Sequence, residues 1–261
     1  MNMAAGEPSS VVAARAALNL QGFAVMRAAL RPDWVHEHRP ALREYVLGHL
    51  NSLDADSRAV GASAATPTFT LRDAPPGVAA FVTSSRVGAL AASLLDIPAV
   101  RLLHFCGFFK PAGGRPTPRH RDRDFIPLDT ERVVTAWIPL VPVDAQMGGL
   151  IFVAGSHLGT SAGSSGTDEC EESDVGFLAP GDISFHLGGT LHGARPNASQ
   201  SMREAVAVCF YEDGARIAGG TALSFRAALQ EHYFPTLRPG ELAAGPYNPV
   251  MYRDALTEDA G

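Results

Sequence analysis

The chain has 261 residues, 46% of them hydrophobic, with a formal charge of -6 and a pI near 5.8. That composition excludes wholesale disorder and provides enough apolar material to bury one sizeable core. The acidic balance excludes the basic stripe of a nucleic-acid-binding surface. Arginines do gather at Arg115, Arg119, Arg121 and Arg123, but Asp122 and Asp124 interrupt them, which suits a local anion or substrate pocket better.

Taken in chain order, Ser9–Leu20 is alanine-rich and predicts a helix, and the apolar run Gly22–Met26 predicts a short strand. Pro32–Leu53 repeats apolar residues at helical spacing (Trp34, Leu42, Tyr45, Val46, Leu50), with Pro32 placed as a first-turn proline. Asp54–Pro76 shifts to Ala, Ser, Thr, Asp and Pro and predicts a mobile loop, after which Pro76–Leu95 returns to helical periodicity. Beyond Pro98 the character changes. Val100–Lys110, Val133–Val141, Leu150–Val153, Asp174–Leu178, Asp182–His186 and Ala205–Tyr211 are short runs rich in Val, Ile, Phe and Trp, separated by turn-forming residues. Such spacing predicts an all-β sandwich or barrel. Gly159–Glu172 is Gly/Ser-rich and acidic and predicts an exposed loop. A short helix over Phe225–His232 and an irregular tail with Tyr247 and Tyr252 complete the chain.

Helices first and strands second predict a single α+β domain in which helices flank an antiparallel core. Its expected parts are 1–99, mainly helical support, 100–211, the β core, and 212–261, a C-terminal helix and tail. No internal repeat is visible. Cys106, Cys170 and Cys209 are scattered, with no CxxC pair, so a reducing cytoplasm is expected rather than a disulfide framework. The N-terminus lacks the pattern of a signal peptide, and no stretch is expected to reach the roughly 20 apolar residues of a membrane helix. A cytoplasmic protein with a small-molecule substrate and no nucleic-acid or membrane partner is the expectation, with a homodimer left open.

Chemistry concentrates in His120-Arg121-Asp122, followed far downstream by His192 and then Arg203. Two imidazoles and one carboxylate are the ligand set that holds a non-haem Fe(II) while leaving coordination positions open. His120 and Asp122 are two apart, so on a strand both would project to one face. His-x-Asp alone is common, and the bland reading of His120 is a loop histidine paired with Asp122. Arg203 has a bland reading too, a surface salt bridge with Glu204 or Glu212. Trp137 reads equally as a core aromatic of a sheet. His186 competes with His192 as the distal ligand, His157 in Gly155-Ser156-His157 reads as ordering a loop, and His104 as a buried or pocket-wall histidine.

The stretch from His120 to Tyr211 resembles the phytanoyl-CoA dioxygenase family of Fe(II)/2-oxoglutarate oxygenases. The segments that carry the likeness are HRDRDFIPLDTERVVTAWIPLVPVDAQMGGLIFVAGSH and PGDISFHLGGTLHGARPNASQSMREAVAVCFY. They contain a His-x-Asp, a Trp in the next strand, a Gly-rich turn into Gly-Ser-His, and a late His-Gly with an Asn, a Ser and an Arg behind it. The resemblance implies a double-stranded β-helix, the cupin-like jelly roll. It further implies His120, Asp122 and His192 as iron ligands, Arg203 on the distal carboxylate of 2-oxoglutarate, and Trp137, with Thr135 beside it, lining the co-substrate pocket. An arginine suits that carboxylate because its planar fork makes two parallel hydrogen bonds.

The expected activity is that of an Fe(II)- and 2-oxoglutarate-dependent dioxygenase consuming O2. It would hydroxylate a polar small molecule of specialised metabolism and release succinate and CO2. Arg121, Arg123, Asp124 and Phe125 follow the ligand motif and are candidate substrate contacts. Many relatives carry a Ser after the His-Gly where this chain has Ala194, which removes one hydroxyl from the co-substrate site. Asp122 stands where halogenating relatives need an empty ligand position, which argues against halogenation. The alternatives are a cupin-like metal enzyme that needs no 2-oxoglutarate and a degenerate binding protein on the same fold, with Arg203 discriminating the first.

Overall fold

Strands buried on both faces need a cover on each side, and the cover differs between the two faces of the main sheet. The computed structural model describes residues 9–52, 67–159, 172–219 and 224–254. The larger sheet is antiparallel, in the order β1 (Phe23–Met26), β8 (Ile183–Leu187), β5 (Val133–Pro139), β10 (Ala205–Glu212), β3 (Ala99–Gly107), β11 (Val250–Arg253). A short β2 (Thr68–Phe69) also pairs with β3. The smaller antiparallel sheet runs β4 (Thr117–His120), β9 (His192–Ala194), β6 (Leu150–Val153), β7 (Glu172–Asp174).

Alternate side chains of a strand point to opposite faces. On the outer face of the larger sheet, Val134, Ala136, Ile138, Phe185, Val206 and Val208 meet the helices. These are α1 (Ser9–Gln21), α2 (Pro32–Ser52), α3 (Pro76–Val82) and α4 (Ser85–Leu95), which bury Leu18, Leu42, Phe81 and Leu90 among others. On the inner face, Phe23, Trp137, Ala205 and Ala207 pack against Leu150, Phe152 and Ala194 of the smaller sheet. Two-sided cover explains why β5 reads as a continuous apolar run instead of an alternating one. The result is the expected α+β jelly roll with N-terminal helices. Near α5 (Ser224–Tyr233), Tyr233 and Phe234 join a third cluster with Cys209 and Tyr211.

Several elements depart from the expected order. Besides β1, which falls on the strand expected at Gly22–Met26, the first hundred residues contribute β2 to the larger sheet, and the C-terminal tail contributes β11. The strand expected at Asp174–Leu178 is a short β7 ending at Asp174, and Leu178 makes only an isolated bridge to Val143. Pro76–Leu95 breaks into two helices around Thr83, whose N–H and hydroxyl both bond the Ala79 carbonyl. By length and apolarity that stretch is sufficient to cross a membrane, against the expectation that none comes near, yet half of it is buried inside the protein. Cys106 and Cys209 are free and buried, as expected. Cys170, most of the loop expected at 54–76 and most of the insert at 159–172 lie outside the described residues.

Candidate metal centre

Directly opposed residues on neighbouring strands share a face, so the register of the larger sheet lines its inner side with two rows of side chains. One row is His186, Thr135, Cys209 and His104, from β8, β5, β10 and β3 in turn. The next row is Ser184, Trp137, Ala207 and Cys106. Facing them is the smaller sheet, where His120 on β4 is the direct cross-strand partner of His192 on β9. A register shift between Thr117 and His120 turns the end of β4 toward the interior, as bulges do. Gly193 permits the close approach of the two strands, since a Cβ there would lie 2.7 Å from the Thr117 carbonyl oxygen.

Asp122 does not continue the strand. It opens a 3-10 turn, Asp122–Phe125, which swings its carboxylate between the two imidazoles. Asp122 Oδ1 lies 3.4 Å from His120 Nε2 and 3.6 Å from His192 Nε2. One ligand atom from each residue falls within 4.8 Å of the others, so a single ion can be reached by all three. His192 Nδ1 meets the Thr190 carbonyl at 3.0 Å and His120 Nδ1 the Pro118 carbonyl at 3.0 Å. Each bond places the ring proton on Nδ1 and leaves Nε2 free to coordinate, the support that metal-binding histidines need. Burial, with His186 alongside, pushes His192 down to about 3 and keeps it neutral. Burial would raise the Asp122 carboxyl, but the imidazoles of His192, His120 and His186 outweigh it and hold it well below the usual range. Asp122 is therefore ionised and His192 neutral, as a divalent metal requires. At His120 burial would lower the imidazole, but the hydrogen bond to Asp122 and that carboxylate's charge outweigh it and raise it, so a metal there would displace a proton.

Beneath the triad lies a cavity lined by Phe108, Trp137, Leu150, Ala194 and Ala207. Arg203 closes its inner end. It is 1% exposed, with its guanidinium carbon 5.6 Å from the centre of the Trp137 ring. One arm donates to the Gly148 carbonyl at 2.5 Å, while Arg203 Nε and Trp137 Nε1 have no partner among the described residues. Neither salt bridge of the alternative reading is formed: Glu204 pairs with Arg39 and Arg43 of α2, and Glu212 with Thr130 and Arg132. Lys110, whose backbone pairs with that of Arg203, is also buried, and its side chain donates to the Arg195 carbonyl and the Thr117 hydroxyl. Burial and the charge of Arg203 push it down to about 7. Arg203, buried and with no carboxylate beside it among the described residues, gives this end of the cavity the character of an anion site.

The family model described as phytanoyl-CoA dioxygenase matches residues 18–205. The chain belongs to that family. No protein of curated function matches it in sequence. Among solved structures, it is similar to SnoN, a non-heme alpha ketoglutarate dependent epimerase from nogalamycin biosynthesis. That likeness has 24% identity and a TM-score of 0.79 over 95% of this chain and 98% of that one. SnoN in complex with Fe3+, alpha ketoglutarate and nogalamycin RO aligns at 23% identity and TM-score 0.77, over 94% and 100% of the two chains. SnoK, a carbocyclase from the same biosynthesis, aligns at 22% identity and TM-score 0.74 over 94% and 99%. At these identities the likeness shows the jelly-roll fold.

Against the family pattern, the structure brings His120, Asp122, His192, Thr135, Trp137 and Arg203 around one cavity. Ala194 lines it too and supplies no hydroxyl. The Asn and Ser behind the His-Gly act on the backbone instead. Asn197 Nδ2 donates to the carbonyls of Lys110 and Ser201, and Ser199 donates to Asn197, which fixes the loop that delivers Arg203. Thr135 directs its hydroxyl proton to Asp122 Oδ2 at 2.8 Å, not into the anion site. Arg121, Arg123, Asp124 and Phe125 do not line the cavity. Arg121 is tied to the Gly189 and Ser156 carbonyls, Arg123 pairs with Glu131, and Phe125 sets its ring edge-on to His120 at 6.1 Å. His157 bonds the Asn19 carbonyl, a loop-ordering role, and His104 stacks on Tyr233 in the cavity wall. Lys110 and Gly148 were not legible in the sequence as neighbours of Arg203, because their contacts depend on which backbone atoms the fold places beside them.

Proposed function

We propose that the protein is an Fe(II)- and 2-oxoglutarate-dependent oxygenase that hydroxylates a polar small molecule of specialised metabolism, releasing succinate and CO2. The observation that carries this reading is one cavity with a His–Asp–His set at its mouth and a buried, acid-free arginine at its inner end. His120, Asp122 and His192 would hold the iron, and Arg203 the far carboxylate of 2-oxoglutarate, with Trp137 against the carbon chain. When bound, the metal and its co-substrate supply the oxidation of an unactivated C–H bond by O2.

The chain's own contribution is geometry and dryness. Arg203 orients a dicarboxylate so that its other end faces the triad, and the apolar walls from Phe108, Leu150 and Ala207 exclude water. A metal enzyme independent of 2-oxoglutarate would have no use for a buried arginine whose Nε faces no acid. The SnoN complex with Fe3+ and alpha ketoglutarate on the same fold supports the assignment.

Anaerobic addition of Fe(II) and 2-oxoglutarate should produce a weak visible charge-transfer band in the wild type and none in His120→Ala. A wild type that never shows the band sinks this reading. Substrate candidates are then ranked by stimulated succinate release. Because SnoN and SnoK are an epimerase and a carbocyclase, the outcome is decided by 18O2 labelling. Hydroxylation places the label in the product; inversion or ring closure leaves it unlabelled.

A further inference from the structure

His186 and Thr135 stand opposite each other on β8 and β5, and both meet one oxygen of Asp122. Thr135 Oγ1 donates to Asp122 Oδ2 at 2.8 Å, and His186 Nε2 lies 3.1 Å from the same atom. The other oxygen, Oδ1, is the one nearest the Nε2 atoms of His120 and His192. We propose that His186 and Thr135 are positioning residues that commit Asp122 to bind the metal through Oδ1 alone. This rests on the metal reading of the triad and adds to it.

The argument is one of lone pairs and coordination positions. A carboxylate accepting two hydrogen bonds at Oδ2 is held at a fixed rotation with that oxygen engaged. Three protein ligands leave three positions on a six-coordinate ion. A chelating dicarboxylate would take two, which would leave one open for O2. A two-oxygen Asp122 would fill that last position. The donors therefore decide whether the site stays open as well as where the carboxylate sits.

His186 is shaped for this task and not for ligation. It is 2% exposed, its ring lies 4.2 Å from that of His192 and 5.5 Å from that of Phe152, and its Nε2 points at Asp122. The Asp122 carboxylate is ionised and can only accept, so the imidazole proton sits on Nε2. Its Nδ1 is buried without a partner among the described residues, as fits a bare lone pair better than an N–H. The sequence offered His186 as a rival to His192; the fold makes it the support of Asp122.

The test is Co(II) affinity of the metal-free protein, by calorimetry, in wild type, His186→Phe, His186→Gln, Thr135→Val and Thr135→Ser. His186→Phe and Thr135→Val should each bind about 10- to 100-fold more weakly, the loss seen when a ligand's supporting partner is removed. His186→Gln and Thr135→Ser keep a donor at the same reach and should stay within a few-fold of wild type. Wild-type affinity in either donor-less variant overturns the proposal, as does a loss in His186→Gln equal to that in His186→Phe. With both donors removed and iron occupancy matched, uptake of nitric oxide in the presence of 2-oxoglutarate should fall. Uptake equal to wild type overturns the single-oxygen assignment. A wild type that binds no Co(II) or Fe(II) overturns the metal reading itself, which keeps the two failures apart.

Discussion

Arg203 gains its meaning from what does not face it. A guanidinium 1% exposed, with acids nearby that pair elsewhere, must be neutralised by something the cavity admits. Burial pushes it down only to about 10, so it stays charged near neutral pH. A lysine at this position keeps the charge but loses the fork and the arm on Gly148. Arg203→Lys should therefore weaken 2-oxoglutarate binding by about ten- to hundredfold, or ~1.5–3 kcal/mol, the worth of a charged hydrogen bond. Titration of the charge-transfer band measures it, and an unchanged Kd would remove Arg203 from the co-substrate site. At this scale the sequence showed a great deal. His120, Asp122, His192, Trp137 and Arg203 are chemically distinctive and ordered along the chain, whereas Thr135 was legible as a pocket residue but not as a partner of Asp122. Hydrogen-bond partners depend on atoms that spacing does not place.

At the scale of elements, the site depends on two strands so short that their sequences carry no period. β4 and β9 span four and three residues and were not legible as strands. Their pairing nonetheless makes His120 and His192 neighbours across 72 residues of chain. Gly193→Ala would drive a Cβ into the Thr117 carbonyl and push β4 away. The expected result is a loss of Co(II) affinity of about tenfold or more, with a smaller loss of stability, about 1–3 kcal/mol as in overpacked sites. Retained affinity would show that the strands have room to adjust.

The turn after β1 provides a pH test at the same scale. Ala28 adopts a left-handed φ of 48°, and Asp182 Oδ1 receives its N–H at 2.9 Å while Oδ2 receives that of Ala179 at 3.0 Å. Burial would raise the Asp182 carboxyl, but these two N–H groups and Arg27 lower it below its ordinary value. A depressed folded-state pKa contributes stability that is complete above the unfolded value and is lost as pH falls through the folded one. The Tm gap between wild type and Asp182→Asn should thus be constant at neutral pH and close only in the acid range. A gap unchanged down to the most acidic pH at which the fold survives would assign the effect to shape, not charge.

For the molecule as a whole, the two faces of the larger sheet carry different duties. The outer face and its helices supply bulk burial, while the inner face holds the site against the smaller sheet. Phe152 is fully buried between the sheets, stacked on Phe23 at 4.5 Å and 5.9 Å from the His192 ring. Leu42 is equally buried, on the helical side. Phe152→Ala and Leu42→Ala should destabilise by overlapping amounts, about 3–5 and 2–5 kcal/mol. Only Phe152→Ala should also weaken metal binding, because only it loosens the bed of His192. Equal metal affinity in the two variants would mean that the triad tolerates movement between the sheets.

Sequence by itself determined the family, the candidate ligand set and the division into helices followed by strands, since these rest on residue type and on periods that a chain displays locally. It could not determine the strand pairing that assembles the site. Nor could it show β1 and β11 closing the larger sheet from opposite ends of the chain, or which oxygen of Asp122 is free. Those depend on long-range register. Register is chosen by the fit of two sheets and four helices around a common core, and no local segment carries that information.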